Sequence, residues 1–240
     1  MVKPKRQITF KNRILQKALP LRRFLCRHGS NFGISTSRRN LEKKILDFFS
    51  YKRNGFFIEA GAADGILESN TLLLEKKYGW TGLLIEPGQE QFKYCKKFRK
   101  SIVENYFLTS FSNSSPTTLM REAQRNSRKV EHNLNSSSVY NHWNKELINH
   151  TKTKTFFAKN TNLQSLLKKH SIDHVDMAII DVEGDCLEVL DGYDHNSKII
   201  NFLLVEVWKE DFESFKRKAE EKQWKYLDKW STSDYLFKLK

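Results

Sequence analysis

Acids end two consecutive apolar runs in the first half of the chain. In "FFIEAGAADG" the run stops at Glu59, with Gly61 and Gly65 behind it, and in "LLIEPG" it stops at Glu86. Further on, the turn "AIIDVEGDC" offers Asp181 and Glu183. An ionised carboxylate only accepts hydrogen bonds, so at a strand end it suits a ligand ammonium or a ribose. Gly61 and Gly65 let the backbone pass close to a ligand, and Ala60, Ala62 and Ala63 leave room between them. The acid precedes the glycines and G-x-G-x-x-G is absent, so this is not the dinucleotide fingerprint; nor does Gly-Lys-Ser/Thr follow, as a P-loop requires. A nucleoside ligand without phosphates fits, and S-adenosylmethionine, with its ammonium and sulfonium, is one. Glu86 then stands where a carboxylate accepts from both ribose hydroxyls. Asp181 and Glu183 would lie beside a methyl donor, able to orient a substrate hydroxyl or take its proton. The other reading has Asp181 capping the next helix and Gly184 enabling the turn.

The elements that must position these residues follow from periodicity. Helical spacing in "LEKKILDFFSY" gives way to strand character over 55–60, then to a helix in "SNTLLLEKKYG", with Ser69 as N-cap and Gly79 as stop, and to a strand in "TGLLIEP". The alternation continues through "QEQFKYCKKFRK" (helix), "IVENYFLTS" (strand), "NLQSLLKKHS" (helix), "VDMAIIDVEG" (strand), "DCLEVLDGY" (helix) and "NFLLVEVW" (strand). A charged helix and two short strands, "KYLDKW" and "DYLFKL", close the pattern. This specifies an α/β fold, a doubly wound, mostly parallel seven-stranded sheet with an antiparallel strand at one edge. Ligands in such sheets bind outside the carboxyl ends of the strands, where all the acids named above fall. Between residues 111 and 155 the periodicity fades, and this insertion reads either as a lid over the substrate or as a surface excursion.

Charge divides the chain differently. The net charge is +14, and eleven Lys and Arg with no Asp or Glu precede Glu42. Residues 1–40 therefore read as a basic N-terminal arm and residues 41–240 as one nearly balanced domain. The arm also carries Ile8, Phe10, Ile14, Leu15, Leu19, Leu21, Phe24 and Leu25. It reads as an interrupted amphipathic helix on an anionic membrane, as a mitochondrial transit segment, or as an extension packed partly on the domain. No run of about 18 apolar residues suggests a membrane span, and the arm has no uninterrupted apolar stretch of signal-peptide type. A cytoplasmic or peripheral membrane location follows, with the mitochondrion open and a lumen kept open by sequons at Asn113, Asn135 and Asn149. Cys26, Cys95 and Cys186 form neither a disulfide framework nor a CxxC pair, and the histidines lack metal-ligand spacing, so no metal is expected.

The ordered set "FFIEAGAADG...SNTLLLEKKYGWTGLLIEP", "TNLQSLLKKH...VDMAIIDVEG" and "DYLF" resembles the FkbM-type S-adenosylmethionine-dependent methyltransferases, from about Phe56 to Phe237. The resemblance implies a class I methyltransferase, Rossmann-like fold and O-methylation of a small-molecule or glycan hydroxyl. Carried over by motif, Glu59, Ala60, Gly61, Ala62, Gly65 and Asn70 would line the methionine and ribose side, Glu86 and Pro87 the ribose, and Asp181 and Glu183 the reacting edge. The chain departs from the family pattern at Gly88-Gln89 and at Asp185-Cys186. Two other functions remain: a methyltransferase-fold adaptor docking to membrane or an acidic partner through the arm, and an RNA methyltransferase. The second rests on the arm's charge alone, and no Asn/Asp-Pro-Pro-aromatic signature follows the fourth strand, so nucleic acid is disfavoured as a partner.

Overall fold

Successive side chains of β1 (Phe56–Ala60) point to opposite faces of its sheet, and both faces are buried. Ile58 and Ala60 pack with Leu166, Val189, Leu190 and Phe215, and Phe57 packs with Ile45, Leu73, Leu74 and Cys95. Helices accordingly cover both sides, α2 (Leu41–Phe48), α3 (Leu72–Tyr78) and α4 (Gln89–Phe98) on the Phe57 face. On the Ile58 face lie α5 (Leu163–Lys169), α6 (Cys186–Asp191) and α7 (Phe212–Glu221). A further helix, α1, covers residues 23–31. The computed structural model describes residues 20–21, 23–123, 126–129, 153–182, 184 and 186–240.

The sheet has seven strands in the order β3–β2–β1–β8–β9–β11–β10. Its other members are β2 (Thr81–Ile85), β3 (Ile102–Glu104), β8 (Val175–Ile180), β9 (Ile200–Glu206), β10 (Trp224–Lys229) and β11 (Asp234–Leu239). All neighbours are parallel except β11, which runs antiparallel to both β9 and β10. The mostly parallel sheet read from the sequence is present, with its antiparallel strand one place in from the edge. The chain steps outward from β1 to β2 and β3, then returns to lay β8 on the other side of β1. The order reverses there, so the carboxyl ends of β1 and β8 open a crevice.

A second, four-stranded sheet has the order β4–β7–β5–β6, with β4 (Phe107–Leu108), β5 (Thr117–Ala123), β6 (Asn126–Lys129) and β7 (Thr153–Thr161). The sequence reading made "IVENYFLTS" one strand, but it breaks at Asn105, whose side-chain amide donates to the carbonyls of Glu86 (2.8 Å) and Pro87 (3.0 Å). Its first half joins the main sheet and its second half joins β7. The stretch 111–155, where the sequence shows no clear periodicity, contains β5, β6 and the start of β7, with β5 and β7 paired antiparallel from Thr117↔Lys159 to Ala123↔Thr153. Asn135, Asn149, His132 and His142 lie outside the described residues, as do residues 1–19 of the arm.

The last residues of the arm are bound to the domain. Ser37 bridges Glu68, and the fully buried Glu42 accepts from the amides of Thr36 (2.8 Å) and Leu73 (2.5 Å) and from the Ser35 hydroxyl (2.9 Å). Burial outweighs these bonds and pushes the Glu42 carboxyl up to about 7. A carboxyl whose folded value is raised contributes stability that is complete below its unfolded value and lost as pH rises to about 7. The unfolding midpoint of the unsubstituted protein is therefore expected to fall relative to that of Glu42→Gln between about pH 5 and 7.5. Thermal scans at several pH values check this, and parallel profiles would show that Glu42 titrates normally.

Candidate functional site

The carboxyl ends of β1, β2 and β8 surround a cavity of about 130 Å³. Among the residues singled out from the sequence, Glu59, Ala60, Gly61, Ala62, Asn70, Glu86, Pro87 and Asp181 line it. The floor is stitched by backbone bonds, Gly61 N–H to Ile85 O and Asp181 N–H to Ala60 O, both 3.0 Å. Gly61 has φ +85°, and a Cβ there would lie 1.8 Å from the Asp181 carbonyl oxygen, so the close approach admits only glycine. Gly65 does not line the cavity. A Cβ on it would stand 2.7 Å from Cys95 Sγ and 2.9 Å from Arg99 Cγ, so this glycine serves the packing of α4 rather than a ligand. Glu183 lies outside the described residues.

The acids at the ends of β1 and β2 have different work. The Glu86 carboxylate, 5% exposed, accepts from the amides of Ala63 (2.9 Å) and Gly88 (2.7 Å). The turn after β1 and the start of α4 thereby fix its orientation in the cavity wall. Glu59 lines the cavity, and its carboxylate is engaged by the protein's own donors as well. It accepts from the Asn70 amide (2.7 Å), the Ser69 hydroxyl (3.1 Å) and the Thr71 hydroxyl, with Arg99 Nη1 3.7 Å away. A desolvated carboxylate on that face of β1 requires such partners, and its effect is to hold the 69–71 loop. The loop in turn presents Asn70, whose side-chain oxygen is buried in the lining with no hydrogen-bond partner among the described residues. An orphaned acceptor is costly unless a ligand donates to it.

The opposite wall brings together groups that the sequence reading missed. Asp181 hydrogen-bonds Glu206, at the end of β9, and the Ser233 hydroxyl donates to Glu206 Oε1 (3.0 Å). Arg39 and Asn40, both at φ 56°, turn the chain into α2. Arg39 Nη1 reaches Asp234 Oδ2 at 2.9 Å and Glu206 Oε1 at 3.5 Å. Burial raises the Glu206 carboxyl, but the bonds from Asp181 and Ser233 and the Arg39 charge outweigh it and hold the group below the usual carboxylate range. Arg39, Glu206 and Asp234 all line the cavity. A signal for Glu206 was present, because "LLVE" repeats the apolar-run-then-acid pattern of "FFIE" and "LLIE". Arg39 had none. Cys186, one of the departures from the family pattern, is buried in the core and its Sγ donates to the Glu206 carbonyl (3.2 Å), beneath the wall rather than in it. Among the described residues no group of three or more His, Cys, Asp and Glu is arranged to hold a metal ion.

A model of the methyltransferase FkbM domain matches residues 59–237. Three solved structures show distant likeness. The N-terminal domain of human METTL16, in complex with SAH, is 15% identical, with 91% of this chain and 79% of that one covered and a TM-score of 0.48. A TehB-like SAM-dependent methyltransferase from Corynebacterium glutamicum is 12% identical, with 83% and 88% covered and a TM-score of 0.42. A crystal form of a METTL16 methyltransferase domain is 14% identical, with 83% of this chain covered and a TM-score of 0.47. The chain spans 66% of the length of that last structure. No curated protein matches the chain significantly.

Proposed function

The chain belongs to the FkbM family of S-adenosylmethionine-dependent methyltransferases, and from that premise we propose that it methylates an oxygen of a small-molecule or glycan acceptor. The residues of the cavity fit the cofactor. Glu86 would take the ribose hydroxyls, and Asn70 Oδ1, an acceptor with no partner among the described residues, would take a donor of the bound nucleoside or amino acid. Small Ala60, Gly61 and Ala62 leave the turn open to it, and Glu59 acts one step back by holding Asn70 in place. When bound, S-adenosylmethionine supplies an electrophilic methyl group on a sulfonium.

The observation that carries oxygen as the acceptor atom is that two carboxyl side chains, Asp181 and Glu206, stand together in the cavity wall. Glu206, held as a carboxylate by Ser233 and Arg39, would accept a hydrogen bond from an acceptor hydroxyl and, with Asp181 beside it, hold that hydroxyl in line with the methyl donor. Methyl transfer depends mostly on alignment, so the pair need supply only modest assistance. Glu183 remains in this reading by its place in the same turn. Tyr106, Phe107 and Met120 wall the cavity from the second sheet and its approach, which supports a covering role for residues 111–155.

Labelled methyl transfer from S-adenosylmethionine to a panel of hydroxylated small molecules and glycans tests the proposal. Asp181→Asn and Glu206→Gln are each expected to lower transfer at least tenfold, about 1.4 kcal/mol of transition-state stabilisation, with most cofactor affinity kept. Reduced stability with unchanged turnover per folded molecule would make the pair structural. Cofactor binding with no oxygen acceptor methylated would favour the adaptor reading instead.

A further inference from the structure

The helix α1 is amphipathic the wrong way round for a helix resting on a domain. Its polar face is turned inward. Arg23, with 13% of its side chain exposed, bonds the buried Asp64 at 2.8 Å and lies 4.0 Å over the Tyr94 ring. Ser30 is fully buried, and Arg27, though exposed, lies over the Phe98 ring of the domain. The apolar face is turned outward: Leu21, Phe24 and Leu25 are 59%, 57% and 57% exposed, and His28 beside Phe24 is exposed as well. These positions follow the i, i+3, i+4, i+7 spacing of one helical stripe. The turn after the helix adds Phe32 and Ile34, 80% and 62% exposed, fixed by their amides to the Gly29 carbonyl.

We propose that this outward face docks on an anionic lipid surface. The stripe emerges from the most cationic part of the chain, where eleven Lys and Arg precede the first acid. Apolar side chains entering the acyl boundary while cations meet lipid phosphates is the chemistry of interfacial helices. Among the described residues no helix is long and apolar enough to cross a membrane, so the contact is with the surface. Arg23 ties α1 to Asp64, which itself accepts from the amides of Ile66 and Leu67 beside the cavity.

The test is co-sedimentation of the full chain with phosphatidylcholine vesicles containing or lacking phosphatidylserine. Binding is expected only with phosphatidylserine, and the triple variant Leu21→Ser, Phe24→Ser, Leu25→Ser is expected to bind at least tenfold less with an unchanged unfolding midpoint. If that variant misfolds, Phe24→Trp keeps the measurement open: its fluorescence should be quenched by brominated lipid beyond that of the unsubstituted protein. Equal binding by the folded triple variant would assign membrane affinity to the cations alone and overturn the proposal. So would absence of binding, unquenched Phe24→Trp, or a dimer that the triple variant dissolves and vesicles do not compete with.

Discussion

Glu86→Ala is expected to weaken S-adenosylmethionine binding about 100- to 10,000-fold while leaving the protein folded. The carboxylate is buried, aimed by the Ala63 and Gly88 amides, and placed at the end of β2 in the cavity wall. Hydrogen bonds to a charged acceptor contribute about 1.5–3 kcal/mol each, and two ribose hydroxyls donating to one carboxylate account for that range of affinity. Glu86→Gln, which keeps the shape and one acceptor oxygen, should lose less. Titration calorimetry on protein with unchanged circular dichroism measures both. An alanine variant binding within about threefold of the unsubstituted protein would remove Glu86 from the cofactor site and, with it, the present reading of the cavity.

The second large effect is on stability. Arg99, with a fully buried side chain, lies 3.7 Å from Glu59 and 3.3 Å from Glu75, and donates to the Gly65 carbonyl (3.1 Å) and the Ser69 and Thr71 hydroxyls (3.1 and 2.8 Å). Burial raises the Glu75 carboxyl, but the Arg99 charge and bonds from Ser101 and Lys100 outweigh it and hold the group below the usual carboxylate range. Arg99→Met would leave two buried carboxylates without their counter-charge, which costs about 3–5 kcal/mol. At roughly 2–4 °C per kcal/mol for a chain of this size, the unfolding midpoint should fall by about 6–20 °C. Arg99→Lys should recover little, since one ammonium cannot span a site built around a guanidinium fork. A drop of less than about 1 kcal/mol in either would show that water replaces the guanidinium at little cost. The 69–71 loop depends on the same network, so the variants should also bind the cofactor more weakly.

Elements carried by local pattern were legible in the sequence, and those made by distant pairing were not. Runs such as "TGLLIEP" and "VDMAIIDV" are apolar on both faces because helices cover both faces, and they became β2 and β8. The strand-end acids were legible for the same reason, since a charge that closes a buried run marks the carboxyl end of its strand. β5 and β7 have polar sequences, "TTLMREA" and "TKTFFAKNT", and owe their strand state to each other across an intervening segment. The partners of Glu59 were not legible, because its counter-charge, Arg99, arrives only at the end of α4. Nothing in the residues around Arg39 announces that two successive left-handed positions carry it to a partner 195 residues away.

That last contact bears on the order in which the molecule can be assembled during synthesis. β10 is made before β11, yet in the sheet its one neighbour is β11, which slots between β9 and β10. Until the final hairpin inserts, one border of the sheet stays open, and the Ser233 and Asp234 groups that secure Glu206 and Arg39 are missing from the cavity. The early strands β1 to β3 can form on the ribosome while the pocket they begin remains incomplete. Ligand competence is thus withheld until β11 has emerged, and the nascent intermediate exposes a sheet edge for as long as that strand is awaited.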